Sequence, residues 1–170
     1  MKTFLACLMF GVIVLPLVID AQRPRGLPAE PQVFNADGQL IRVVAIEGLV
    51  RPWALAKLPN GDILVTEREG RLRIIRNDVL DPEPITGLPV INTGAVNSGL
   101  MDIALHPLFR ENRWLYFTYS KPDADEVRVA LGRGRLKGMR LSNVEDLFLS
   151  DILGGSGAAA SRIVFGKDGS

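Results

Sequence analysis

Residues 53–67 read WALAKLPNGDILVTE, an apolar run, a Pro-Asn-Gly turn and a second apolar run. Pro59 and Gly61 favour backbone dihedrals that a turn needs and a strand interior rejects, so the two runs predict paired strands. Residues 101–120, MDIALHPLFRENRWLYFTYS, repeat this form with a longer turn, and residues 161–170, SRIVFGKDGS, repeat its first half. Leu58 and His106 occupy equivalent places 48 residues apart, and Gly166 comes 60 residues later. A recurrence of about 50 residues in a chain of short strands is the signature of a β-propeller, whose blades bury their faces only against one another.

The neighbouring runs fit the same all-β reading. IRVVAIEGL, RLRIIR, VRVALGRGRL and DLFLS are short and β-branched or aromatic, and turn chemistry separates most of them, including Lys167-Asp168-Gly169. In DILVTE, Ile63 and Val65 share a face while Leu64 and Glu67 break a perfect alternation, which predicts a strand covered on both sides. In WLYFTYS, Trp114, Tyr116 and Thr118 point one way and Leu115, Phe117 and Tyr119 the other, so neither face suits water. Residues 22–39 hold Pro24, Pro28 and Pro31 without apolar periodicity and read as an extended entry segment. Residues 40–170 then contain two blade-sized units and the opening strand of a third. A propeller closes with at least four blades, so this region reads as a partial propeller, truncated at its C-terminal side, from a longer protein.

Composition narrows the partners. The 20 Lys+Arg against 19 Asp+Glu leave a formal net charge of +1, which gives no electrostatic reason for binding nucleic acid or an anionic membrane surface. The first 21 residues, MKTFLACLMFGVIVLPLVIDA, carry Lys2, an apolar stretch from Phe4 to Ile19 and a small residue at Ala21. They read as a secretory signal peptide and predict a periplasmic or secreted protein; membrane attachment would require the segment to stay uncleaved. Cleavage would also remove Cys7, the only cysteine, so the exported protein would rely on burial without disulfides.

Few side chains invite a chemical role. His106 is the only histidine, but it precedes Pro107 in a turn whose counterpart in the first unit is Leu58, so a structural role is expected. Asp102 lies four residues before His106, a spacing of about 13 Å on a strand, too far to grip one ion. Asp102 is instead expected to bond a neighbouring loop or another blade. Arg133, Arg135 and Lys137 alternate as the solvent side of an outer strand would, and GRGRLKG lacks the strand-to-helix context of a phosphate loop. Trp53 and Trp114 belong to apolar strands and read as core.

Three ordered stretches carry a resemblance: GLVRPWALAKLPNGDILVTEREGRLRII, GLMDIALHPLFRENRWLYFTYSKP and SRIVFGKDGS. They resemble the quinoprotein glucose/sorbosone dehydrogenase family, which includes soluble aldose sugar dehydrogenases. The resemblance implies a six-bladed propeller, of which this chain covers the first two to three blades, exported to the periplasm. It also implies pyrroloquinoline quinone (PQQ) with calcium as cofactors, and oxidation of aldose sugars to lactones with an electron acceptor as second partner. In that family a histidine takes the hydroxyl proton while hydride passes to the quinone. Its place, four residues before Arg162, is held here by Ala158, which cannot accept a proton.

A glutamine that family members carry near the quinone corresponds to Asn97, an amide one methylene shorter. Asn97 and Ala158 are therefore the cofactor-binding positions, no catalytic residue is assigned, and the calcium ligands are expected beyond Ser170. The competing expectation is a propeller that kept the scaffold as a non-catalytic binding module or inactive fragment, which Ala158 favours. A metal-dependent lactonase-type propeller would need carboxylate, Asn or His ligands near the axis, and the turns here offer few.

Overall fold

The computed structural model describes residues 30–94, 98–124, 126–151 and 161–168. The chain divides into two units, residues 1–43 and 44–170. In the first, β1 (Gln32–Ala36) and β2 (Gln39–Val43) form an antiparallel hairpin. Asp37 and Gly38 both adopt positive φ, 48° and 80°, the mirror-image turn whose twist matches the flanking strands. The Gly38 N–H donates to Asn35 Oδ1 at 3.0 Å and locks the turn. The extended entry segment is thus, over Gln32–Ala36, a paired strand: the prolines all precede it, and the Asp-Gly turn folds Gln39–Val43 back along it.

The second unit contains two four-stranded antiparallel sheets, each joined strand to neighbouring strand. The first blade orders β3 (Pro52–Lys57), β4 (Ile63–Glu67), β5 (Arg71–Arg76) and β6 (Val79–Leu80). The second orders β7 (Leu100–Leu105), β8 (Trp114–Asp123), β9 (Glu126–Lys137) and β10 (Arg140–Leu149). A single helical turn, α1 (Phe109–Asn112), fills the longer loop between β7 and β8. The predicted Pro-Asn-Gly turn closes with Gly61 N–H donating to the Leu58 carbonyl at 2.9 Å.

The two blades share one core. Leu64, Leu72 and Ile74 of the first meet Leu100, Ile103, Leu115 and Phe117 of the second, with Ile85 of the connecting segment wedged among them. Ala54 and Ala56 let the innermost strands approach. Across that seam the Thr66 hydroxyl donates to the Met101 carbonyl at 2.6 Å and accepts from Ala54 N–H at 3.0 Å, so a buried polar atom becomes a cross-blade tie. The connection from β6 to β7 is fastened as well: Leu141 N–H bonds the Thr86 carbonyl at 2.8 Å, and Ile85 N–H bonds the Leu72 carbonyl at 2.8 Å.

Two tryptophans depart from the expected core placement. Trp53 is 42% exposed on the first blade's innermost strand. Trp114 lies on the second blade between the guanidinium groups of Arg133 and Arg135, 4.5 and 4.8 Å from its ring. Period-two alternation fixes which residues share a face but not what covers it. The RIVFG run departs too: among residues 161–168 no strand pairing forms, and side chains of the second blade hold the run instead.

Gly99 opens the second blade at φ +137°, where an added Cβ would sit 2.1 Å from the Arg68 carbonyl oxygen. Gly99→Ala should therefore destabilise the protein by about 3 kcal/mol, seen as a lower midpoint of urea unfolding; an unchanged midpoint would contradict this packing. The buried Tyr119 phenol donates to Asp146 Oδ1 at 2.7 Å. Burial first, then the bond to and charge of Asp146, push its pKa above the usual 10.0. Its contribution to stability is fully present below the unfolded pKa of about 10 and is lost as pH rises from there toward the higher folded value. Stability measured across pH 8 to 12 (about the tyrosine range) should fall on the alkaline side, and Tyr119→Phe should flatten that fall.

Candidate functional site

In each blade the innermost strand, β3 or β7, begins at the end that also carries the β4–β5 or β8–β9 turn. At that end a cleft of about 510 Å³ opens beside Trp53 and Leu55 of β3, Val65 of β4 and Asp102 of β7, closed by Ser161 and Arg162. It combines an exposed indole, an apolar wall, a carboxylate and a guanidinium. Such a surface suits a planar or sugar-like ligand that needs both stacking and polar contacts.

Asp102 organises the cleft. It is 4% exposed, and a buried carboxylate needs partners. Its Oδ2 accepts from Ile163 N–H at 2.6 Å, and Oδ1 lies 3.7 Å from Arg162 Nη1. Its own N–H donates to Thr118 Oγ1 at 3.0 Å, and that hydroxyl also pairs with Ser161 Oγ at 2.7 Å. The expected contact from Asp102 to a neighbouring loop is thus present, made to the segment after residue 160. Further along, Phe165 packs edge-on against Tyr116, with ring centroids 5.2 Å apart, and against His106 at 5.8 Å. Residues 161–165 are held by side chains of the second blade where a strand would be held by its backbone.

His106 is structural, as its sequence context suggests. Its Nδ1 accepts from Leu108 N–H at 2.9 Å and lies 2.8 Å from Asn112 Nδ2, which places the ring proton on Nε2 and pins α1. Asn97 and Ala158 lie outside the described residues. Next to Asn97, the Ser98 carbonyl accepts from Arg68 Nε at 3.0 Å and Gly99 N–H donates to Ser120 Oγ at 3.2 Å; the first described residue after Ala158 is Ser161, which is tied to Thr118.

Sequence reasoning saw Glu67, a fully buried carboxylate at the same end of the first blade, only as a break in the strand's alternation and missed its role. It accepts from Val50 N–H at 2.6 Å and from Arg71 Nε at 2.5 Å, with Arg73 Nη1 at 3.5 Å. The signal was in the sequence: Arg71 and Arg73 alternate on a strand paired with the one that ends in Glu67. Among the described residues no group of three His, Cys, Asp or Glu side chains gathers to hold a metal, and no helix is long and apolar enough to cross a membrane.

Asp102→Ala should release Ile163 and destabilise the fold by about 2 kcal/mol, since the carboxylate acceptor of a part-buried N–H is lost. Amide hydrogen exchange at Ile163 should accelerate to match. Arg162→Ala should change stability by less than about 0.5 kcal/mol, because the side chain is 79% exposed and the pair is long. Unchanged exchange at Ile163 in the Asp102 variant would contradict the clamp.

Residues 49–170 match the Glucose / Sorbosone dehydrogenase family. Over 125 residues the chain is 47% identical to the uncharacterized protein slr1608 of Synechocystis sp., and over 120 residues 34% identical to the aldose sugar dehydrogenase YliI of Escherichia coli. Each match covers 69% of this chain and 30% of the relative, so the chain spans about a third of the length of these proteins. Among solved structures, a glucose dehydrogenase superposes with a TM-score of 0.58 at 36% identity, covering 61% of this chain and 31% of that one. The PQQ-bound aldose sugar dehydrogenase of Streptomyces coelicolor gives 0.51 at 26% identity, covering 72% and 35%. Paired meander blades, the ordered motifs and these likenesses agree: the chain belongs to the glucose/sorbosone dehydrogenase family.

Proposed function

We propose that this chain is part of an exported quinoprotein sugar dehydrogenase homologue, six-bladed in its complete form, whose base position is an alanine. The observation that carries this reading is the convergence of Trp53, Asp102 and Arg162 on one cleft at the start of the innermost strands, with Arg162 four residues along the chain from Ala158. An exposed indole face and a guanidinium in the open suit a planar, multiply carboxylated quinone such as PQQ. When bound, PQQ supplies the two-electron oxidant that takes hydride from the anomeric carbon as the aldose becomes its lactone.

The chain's own residues divide the remaining tasks. Arg162 pairs with a carboxylate of the bound ligand, the Asn97 amide hydrogen-bonds it, and Asp102 holds the backbone after residue 160 in place. Ala158 leaves the sugar hydroxyl proton without an acceptor. A positioned base contributes about 10² to 10⁴ in rate, so the site binds better than it turns over. The calcium ligands fall to the part of the family's length outside this chain. The sugar and an electron acceptor are the partners, and the signal-like residues 1–21 support a periplasmic or secreted location. Ala158 equally favours a second reading, a propeller kept as a binding module without chemistry.

The test uses the full-length protein with PQQ and calcium, measuring cofactor binding by dialysis and aldose oxidation with an artificial acceptor. Expected are cofactor binding with little turnover in the parent, and turnover raised about 10³-fold in Ala158→His. No cofactor binding in either protein would overturn the quinoprotein reading in favour of the binding module. Equal turnover in both would show that the base stands elsewhere.

A further inference from the structure

A second cleft, of about 550 Å³, lies between the two blades at the end opposite the candidate site, where the β3–β4 turn faces α1 and the β9–β10 turn. Its floor is apolar, with Leu58, Ile74 and Leu136, and its rim carries Arg76, Arg110 and Arg113 against one carboxylate, Asp62. Arg76 is neutralised locally, 3.4 Å from Asp62 and bonded to Asp81. The other two guanidinium groups meet no carboxylate among the described residues. Arg110 Nη2 lies 3.4 Å from the Pro59 carbonyl, and Arg113 sits over the Phe109 ring at 5.5 Å. Elsewhere Arg51, Arg71, Arg73, Arg128 and Arg133 each reach an Asp or Glu, while Arg135 stacks on the Trp114 ring. With a net charge of +1, the excess at this cleft is not a by-product of a basic composition.

The backbone adds an independent mark. Arg113 caps α1 in the left-handed region at φ 61°, its N–H bonded to the Phe109 carbonyl at 2.9 Å. Glycine or asparagine is favoured in that conformation, so an arginine there is an uncommon choice at the rim. The helical turn that carries both arginines is the insertion distinguishing the second unit's loop from the Pro-Asn-Gly turn of the first.

We propose that this inter-blade cleft binds a small organic phosphate, its oxyanion head between Arg110 and Arg113 and its apolar body on Leu58, Ile74 and Leu136. The volume falls within the range of small-molecule sites and leaves room for more than a bare ion. Two guanidinium forks match a dianion with three terminal oxygens, whereas a monocarboxylate satisfies only one fork.

Phenyl phosphate is the probe, titrated into the whole chain at low ionic strength while the methyl resonances of Leu58, Ile74 and Leu136 are followed by NMR. Saturable shifts at these methyls are expected, with affinity about tenfold or more above that of inorganic phosphate or phenol alone. Arg110→Gln and Arg113→Gln should each weaken binding about tenfold. Both side chains are exposed, so ligand-free melting temperatures should stay unchanged, which separates lost binding from lost fold. Shifts no larger than phenol produces, or parent-like affinity in the double variant, would overturn the site. Benzoate binding as tightly as phenyl phosphate would overturn its assignment to phosphate.

Discussion

A four-stranded blade with apolar residues on both faces cannot hide either face by itself, and the contact between the two blades is what the rest of the structure depends on. Leu64, Leu72 and Ile74 from one sheet and Leu115 and Phe117 from the other are each almost fully buried in that contact. Removing a side chain of this size from water is worth about 2 kcal/mol, so a handful of residues fixes how the sheets stack. The small Ala54 and Ala56 set the approach, and the Thr66 hydroxyl ties the innermost strands where an apolar contact alone would let them slide. Because β3 and β7 are held side by side, Trp53 and Asp102 are brought to one cleft.

Much of this was legible in the chain. The turn at Pro59–Gly61, the alternation in residues 114–120 and the recurrence between Leu58 and His106 marked the strands and their grouping into blades. The structural role of His106 and the loop contact of Asp102 also came from local reasoning about turns and strand spacing. What escaped was decided by partners distant in sequence. Alternation assigned Trp53 to a face without saying whether that face is covered, and β-rich composition made residues 161–165 look like a strand although pairing needs a neighbour. The cleft at Arg110 and Arg113 is assembled from turns about 50 residues apart, and nothing local announces it. Asp37-Gly38 was a readable hairpin signal, outweighed in the sequence by the prolines before it.

The polar groups at the site end share a pattern. Glu67 and Asp102 are buried carboxylates that each bind a backbone N–H belonging to a segment outside their own sheet, Val50 in one case and Ile163 in the other. A carboxylate left alone there would be penalised severely, so each fixes the course of the chain that satisfies it. The blades thereby dictate where the connecting segments run without contributing a strand to them.

The side-chain fastening of residues 161–165 has an evolutionary consequence. Among the described residues its anchors are Ser161, Ile163 and Phe165. Selection for folding therefore acts on these side chains together with the Asp102 carboxylate and Thr118 hydroxyl that hold them, so a change on the second blade is felt in a segment that shares no backbone pairing with it.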